Sequence, residues 1–142
     1  MIYRKPSTPP GQFLEQFGVI LQNLDKKCKI CISGDFNLNL LKYNENQYVN
    51  LFLNMLYSSN FYPAVNKPTR VSSLSATLID NILLNYECPS YRPTILLSDL
   101  SDHFSLSLCC PCDKVSTETG NEFIELNMSI IAILHQKTFI CS

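Results

Sequence analysis

The stretch "KICISGDFNLNLL" (residues 29–41) constrains the fold most, because it joins a short apolar strand to two polar side chains. Residues 28–34 are mostly apolar, as is typical of a strand covered on both faces. We expect Gly34 to end this strand, because a residue without a Cβ atom allows a tight bend. Asp35 and Asn37 follow directly, so the strand delivers a carboxylate and an amide to one edge of a sheet.

Two amphipathic segments accompany this strand. Residues 12–25 and 45–57 carry apolar side chains at helical spacing, and both are predicted to be helices. Their apolar positions are Phe13, Phe17, Ile20, Leu21, Leu24, Tyr48, Leu51, Phe52, Met55 and Leu56. Further strands are predicted at 2–3, 61–65, 75–85, 93–98 and 101–110. Helices between the early strands and a strand-rich second half predict a layered α/β domain with a mixed sheet.

Length and composition fit one domain. The chain has 142 residues, of which 46% are hydrophobic, and this is enough for a core. Residues 1–111 are predicted to form the domain, and 112–142 a tail of uncertain structure. Eleven Lys and Arg against twelve Asp and Glu give no global field that would attract nucleic acid, although a local basic strip remains open.

The cysteines and the apolar runs bear on the compartment. Seven cysteines, an odd number with no secretory signal before them, predict reduced thiols in an intracellular protein. No apolar run reaches the roughly 18–20 residues that a membrane helix needs. We therefore expect no membrane partner.

Apolar strands meet polar groups at three places. Asp35 and Asn37 follow one strand, Asp80 interrupts another, and Asp102 and His103 precede a third. Strand ends at one edge of a layered sheet lie close together, so these groups can converge on one cleft. Carboxylates, an amide and an imidazole suit a hard divalent cation and a phosphate.

Each group alone also has an ordinary explanation. Asp35 can initiate a turn, and residues 101–103 can form a capped turn with a surface histidine. Asp80 can make a structural hydrogen bond, without which a carboxylate among apolar neighbours is costly. Their shared placement at strand ends favours a common site.

Three motifs carry a family resemblance. "GDFN" (34–37), "SATLIDNILLN" (75–85) and "SDH" (101–103) resemble, in this order, the C-terminal half of the endonuclease/exonuclease/phosphatase domain. The match is greatest with the endonucleases of LINE-type (non-LTR) retrotransposons, which share the "PTR" before the second motif and an opening like "IYRKPSTPP" (2–10). The resemblance covers about residues 2–110. It implies a four-layer α/β sandwich and Mg²⁺-dependent (or Mn²⁺-dependent) nicking of DNA.

The resemblance also implies a role for individual residues. Asp35 is similar to the group that orients or deprotonates the attacking water, and Asn37 to the amide that fixes this water and a phosphate oxygen. His103 resembles the residue that contacts the scissile phosphate, and Asp80 the carboxylate that orients this histidine. Tyr3 falls where the family has a phosphate-contacting tyrosine.

The resemblance places Asp102 near the metal, and Thr69, Arg70 and Ser75 at the DNA backbone. The family's N-terminal half, with an asparagine and the glutamate that is the principal metal ligand, has no counterpart in the sequence. Ser105 stands where the family often has proline. We therefore expect a truncated domain that is inactive or weakly active, with an open sheet face for a missing half or partner, and nuclear if functional.

Three alternatives remain open. The same motifs would serve a phosphatase or phosphodiesterase acting on a small molecule or lipid headgroup. The near-neutral charge would suit a non-catalytic binding domain, since tight DNA binding needs several Lys or Arg contacts. Cys28 and Cys31 have a zinc-type spacing, and Cys109, Cys110 and Cys112 cluster. However, odd separation on a strand points Cys28 and Cys31 to opposite faces, which favours ordinary cysteines.

Overall fold

A computed structural model of the chain describes residues 1–87, 92–97 and 101–109. Its elements, in chain order, are β1 (Ile2–Tyr3), α1 (Pro10–Asn23), β2 (Cys31–Asp35), a 3₁₀ turn (Leu40–Lys42), α2 (Gln47–Ser58), β3 (Tyr62–Pro63), β4 (Arg70–Val71), β5 (Ala76–Thr77), β6 (Asp80–Leu84), β7 (Arg92–Leu96) and β8 (Ser105–Cys109). Both predicted helices are present, each within two residues of its expected ends.

Among the described residues, the central sheet has four strands in the order β1-β2-β6-β3. β1 lies parallel to β2, while β6 runs antiparallel to β2 and β3, so the sheet is mixed as predicted. All five residues of β6 are buried, whereas Cys31, Ile32 and Ser33 of β2 are only half-buried. The fully covered strand is therefore β6 and not, as predicted, β2.

Two smaller sheets complete the described strands, namely the β4–β5 pair and the β7–β8 pair. β8 contacts β6 without being hydrogen-bonded to it, so it packs against a face of the central sheet. Leu106 and Leu108 of β8 are completely buried there, while β7 is largely exposed. The result is a layered α/β arrangement with flanking helices, as predicted.

The two helices meet in a cluster of phenylalanine rings. Phe13 and Phe17 of α1, Phe52 of α2 and Phe36, which follows β2, have ring centroids between 5.2 and 6.4 Å apart. All four side chains are buried, and each such pair adds roughly 0.5–1.5 kcal/mol to the burial of its surface. This cluster holds Phe36, the residue directly after Asp35, in the core.

The apolar faces of the helices are narrower than predicted. Ile20 of α1 is 46% exposed and Leu51 of α2 is 54% exposed, although both lie at helical spacing with buried neighbours. Gly18 does not end α1, in agreement with the sequence. The start of α2 is capped by Asn46, whose side chain accepts from the N–H groups of the first turn.

The structural reason for glycine at position 34 differs from the one predicted. β2 continues through Asp35, and no glycine in the described part of the chain has a positive φ, so the expected bend at Gly34 is wrong. A Cβ at this position would meet the carbonyl oxygen of Ile2 in β1. Glycine is therefore required by the close approach of β1. The left-handed residue that turns the chain is Asn37, with φ of 48°.

The segment 75–85 was predicted as one strand and is instead two, β5 and β6. Leu78 and Ile79 lie between them, and their carbonyls accept from the N–H groups of Leu40 and Phe36. Asp80 is consequently the first residue of β6 and lies at a strand end, not in a strand interior.

None of the helices in the described part of the chain combines the length and apolar character that a membrane crossing requires. The predicted tail at 112–142, with Cys112 and His135, lies outside the described residues, as does Cys110.

Candidate functional site

Three polar side chains lie in one row across the central sheet. Tyr3 of β1 is in register with Asp35 of β2, and Asp35 is directly opposite Asp80 of β6. Paired residues of neighbouring strands point to the same face. The row therefore places a phenol and two carboxylates side by side at the edge where β2 ends and β6 begins.

His103 reaches this row from the segment that precedes β8. Its Nδ1 lies 3.1 Å from Oδ2 and 3.3 Å from Oδ1 of Asp80. The two side chains are only 10% and 8% exposed. Because Nδ1 is engaged by Asp80, the ring nitrogen that remains for another group is Nε2. Asp80 thus fixes the orientation of the imidazole.

Thr69 holds the other side of Asp80. Its hydroxyl donates to Oδ2 of Asp80 at 2.8 Å and accepts from the N–H groups of Ile79 and Asp80 at 3.3 and 3.1 Å. Its backbone carbonyl accepts from the N–H of Phe104 at 2.7 Å. Thr69 therefore links the start of β6 to the segment that carries His103.

Asp35 and Asn37 are joined by a local hydrogen bond. The backbone N–H of Asn37 donates to Oδ1 of Asp35 at 3.0 Å, as in the turns that Asp commonly initiates. The side-chain Nδ2 of Asn37 donates to the carbonyl of Arg4 at 2.8 Å. The amide of Asn37 is therefore bonded to the chain after β1.

Burial and mutual repulsion act on the two carboxylates. Burial raises the pKa of Asp35, and the nearby charge of Asp80 raises it further, against the opposing N–H of Asn37. Burial also raises the pKa of Asp80, although the hydrogen bond from Thr69 and the charge of His103 oppose this. A bound cation would relieve the repulsion between the two carboxylates.

A metal ion fits the donor set of this row. Asp35, Asp80 and His103 each offer a ligand atom, and these atoms lie within 4.8 Å of one another. Carboxylate oxygens suit Mg²⁺ and Mn²⁺, and imidazole is tolerated better by Mn²⁺. Within the described ranges, this is the one cluster of three or more side chains that could hold a metal ion, and it contains no cysteine. The zinc alternative at Cys28 and Cys31 thus finds no support.

Asp102 does not join this group, although it was expected near the metal. Its carboxylate accepts from Nε of Arg70 at 2.6 Å, and both side chains are about half exposed. This hydrogen bond lowers the pKa of Asp102. Arg70 was expected at the DNA backbone, and it remains at the surface but paired with Asp102.

The other expected DNA contacts differ in position. Thr69 is completely buried, so its side chain cannot touch a DNA backbone and instead positions Asp80. Ser75 lies exposed in the turn between β4 and β5, with its hydroxyl 2.9 Å from that of Ser72. Tyr3 is 57% exposed beside Asp35, which is compatible with contact to a phosphate.

The burial of Arg4 was not expected from the sequence. This residue follows β1 in a proline-rich loop, where an arginine ordinarily faces solvent, yet it is only 6% exposed. Asn39 was also missed. Its side chain caps the 3₁₀ turn and accepts from the N–H of Leu78. Neither residue type nor spacing distinguishes these two from ordinary loop residues.

Comparison with known proteins adds one finding. No family model matches the chain, and no curated protein matches it. A search of solved structures finds the "Endonuclease domain of TRAS1, a telomere-specific non-LTR retrotransposon", with a TM-score of 0.63 and 16% sequence identity. The match covers 79% of this chain and 56% of that one. The chain thus spans little more than half of its structural neighbour, and over that part it has the α/β fold of a non-LTR retrotransposon endonuclease domain.

Proposed function

We propose that Asp35, Asp80 and His103 form part of a divalent-cation-dependent site that hydrolyses DNA phosphodiester bonds and nicks one strand. One observation carries the proposal: donor atoms of these three residues lie within 4.8 Å of one another at the edge of an endonuclease-like sheet. The working compartment of such an activity would be the nucleus.

In this proposal Asp35 takes the proton of the attacking water. Its Oδ1 accepts from the N–H of Asn37, and its Oδ2 is the oxygen that would take the proton. The oxygen of the water bonds to phosphorus, the bond from phosphorus to the leaving oxygen breaks, and the leaving oxygen keeps the electron pair and takes a proton from solvent. Asn37 would help to fix the water, as the resemblance implies.

His103 stabilises the charge that develops on the phosphate. Asp80 accepts from Nδ1–H, so the doubly protonated ring can donate from Nε2 to a phosphoryl oxygen. Tyr3 stands at the open end of the row and would contact a neighbouring phosphate oxygen. When bound, Mg²⁺ or Mn²⁺ would supply Lewis-acid polarisation of the phosphoryl group, held by the carboxylates of Asp35 and Asp80.

We expect the activity of this chain to be weak. The described donor set consists of two carboxylates and one imidazole, and Asp80 already bonds to His103 and Thr69. A hard cation needs about six ligands and would keep most of its waters here. The net charge of −1 also gives little long-range attraction for DNA.

A plasmid-nicking assay tests the proposal, run with Mg²⁺, Mn²⁺ or EDTA. The parent chain is compared with Asp35→Ala and His103→Ala, and with Asp25→Ala as a matched control at an exposed carboxylate. Cation-dependent nicking that is lost in both site variants and kept in the control supports the proposal. A panel of small phosphoesters shows whether DNA or a small molecule is the substrate.

A thermal unfolding measurement with added cation covers the case of very weak turnover. A cation at ten times its Kd stabilises the folded state by about 1.4 kcal/mol. We expect Mn²⁺ to raise the Tm of the parent and of Asp25→Ala, and not of Asp35→Ala. Absence of both nicking and cation stabilisation would refute the proposed function.

A further inference from the structure

Arg4 makes an unusual set of contacts with the end of β2. Its backbone N–H donates to the carbonyl of Asp35 at 2.9 Å. Its Nε donates to the carbonyl of Phe36 at 2.7 Å, and its Nη2 to the carbonyl of Asn37 at 2.6 Å. Three successive carbonyls therefore accept from this one residue.

Arg4 both donates to and accepts from the turn after β2, and it also contacts the loop in which it lies. The carbonyl of Arg4 accepts from the side-chain amide of Asn37 at 2.8 Å. Nη1 of Arg4 donates to the carbonyl of Thr8 at 2.6 Å. The fixed fork of the guanidinium suits several carbonyls at once. Arg4 thus clamps the turn after β2 to the loop after β1.

The turn needs such support for two reasons. Asn37 adopts a left-handed conformation with φ of 48°, which costs free energy and persists only where surrounding contacts impose it. In addition, the carbonyls of Phe36 and Asn37 lie beyond the end of β2, where no strand in the described part of the chain continues the ladder. The guanidinium supplies the donors that they would otherwise lack.

We propose that Arg4 is a positioning residue that holds the 35–37 turn, so that the Asp35 carboxylate faces Asp80 and His103. This inference rests on the proposed function for its catalytic consequence, because the position of Asp35 affects turnover only if the site acts on a phosphate. Its physical content, a turn held by one buried guanidinium, can be tested without any turnover.

Amide hydrogen exchange, resolved by residue with NMR, tests that content. Arg4→Met removes the guanidinium, Arg4→Lys keeps the charge without the fork, and Lys5→Met is the control at the adjacent exposed cation. We expect the amides of Phe36 and Asn37 to exchange at least about tenfold faster in Arg4→Met, while the amides that pair β2 with β6 remain unchanged.

Arg4→Lys should resemble Arg4→Met, because one ammonium group cannot reach the carbonyls of Thr8, Phe36 and Asn37 together. This variant also keeps the test valid if Arg4→Met folds poorly. Uniform acceleration of turn and ladder amides, or no acceleration in either variant, would show that Arg4 does not specifically hold the turn, and would overturn the inference.

Nicking kinetics separate this inference from the proposed function. If the parent cuts DNA, Arg4→Lys should lower kcat about tenfold or more and change KM by less than about twofold, because the carboxylate is misplaced while DNA still binds. An unchanged kcat would overturn the positioning role. If the parent neither cuts DNA nor gains stability from Mn²⁺, the proposed function fails, and hydrogen exchange alone decides whether Arg4 holds the turn.

Discussion

Replacing Thr69 with valine should destabilise the fold more than its small change in shape implies. Valine keeps the volume of the side chain but loses a hydroxyl that makes three buried hydrogen bonds. The N–H groups of Ile79 and Asp80 would lose an acceptor, and the Asp80 carboxylate would lose a donor. The variant thus tests whether Thr69 is a structural support or a surface contact.

The expected magnitude follows from the geometry of these bonds. The two backbone bonds are long, at 3.3 and 3.1 Å, so each lost acceptor costs about 1 kcal/mol. The bond to the carboxylate is short, at 2.8 Å, and its loss costs about 1.5 kcal/mol. Thr69→Val should therefore lower the free energy of unfolding by about 3.5 kcal/mol. Thr69→Ser keeps the hydroxyl and loses one buried methyl, at about 1 kcal/mol.

Urea unfolding at neutral pH measures both variants, with the slope of the transition compared as a check that the unfolded states match. The hydrogen bond from Thr69 favours the ionised form of Asp80. The cost of Thr69→Val should therefore shrink as the pH falls and Asp80 becomes protonated. If Thr69→Val is no less stable than Thr69→Ser, the hydroxyl does not support β6, and this reasoning is wrong.

Two further predictions concern the same sheet. Gly34→Ala should destabilise the fold by about 2–3 kcal/mol, because the new Cβ meets the carbonyl of Ile2. In the control Gly18→Ala, the Cβ meets only a flexible methionine side chain at 3.3 Å, so this change should cost less than about 1 kcal/mol or stabilise the fold. Equal losses of stability in urea unfolding would contradict the explanation. Asp35→Asn should stabilise the fold at pH 7 by roughly 0.5–1 kcal/mol, because it removes like charges opposite each other. Since the folded-state pKa of Asp35 is raised, the parent loses stability as the pH rises through that pKa. The stability gained by Asp35→Asn should therefore fade towards about pH 4. A gain that does not depend on pH would argue against a buried carboxylate repelled by Asp80.

The sequence alone predicted both helices, because the 3.6-residue spacing of apolar residues identifies a helix and its buried face from local information. It did not predict that Ile20 and Leu51 are exposed, since the width of the buried face depends on what packs against it. The motifs predicted the retrotransposon endonuclease fold, and the structural comparison confirms that fold. The expected roles of Asp35, Asn37 and His103 in catalysis remain predictions.

Strand ends could be predicted to converge, and Asp35, Asp80 and His103 do lie together. The contacts that support them could not be predicted. Whether Gly34 serves a bend or a close approach depends on where β1 lies. Arg4 donates to carbonyls more than thirty residues away in sequence, and the hydroxyl of Thr69, which lies just before β4, donates to Asp80 at the start of β6. Local sequence indicates the helices and the apolar positions that can face the core, but strand ends, strand partners and register arise from packing of the whole chain. The sequence by itself therefore determined the two helices and the polar groups that converge, and only the tertiary structure decided where the strands end and which residues hold those groups in place.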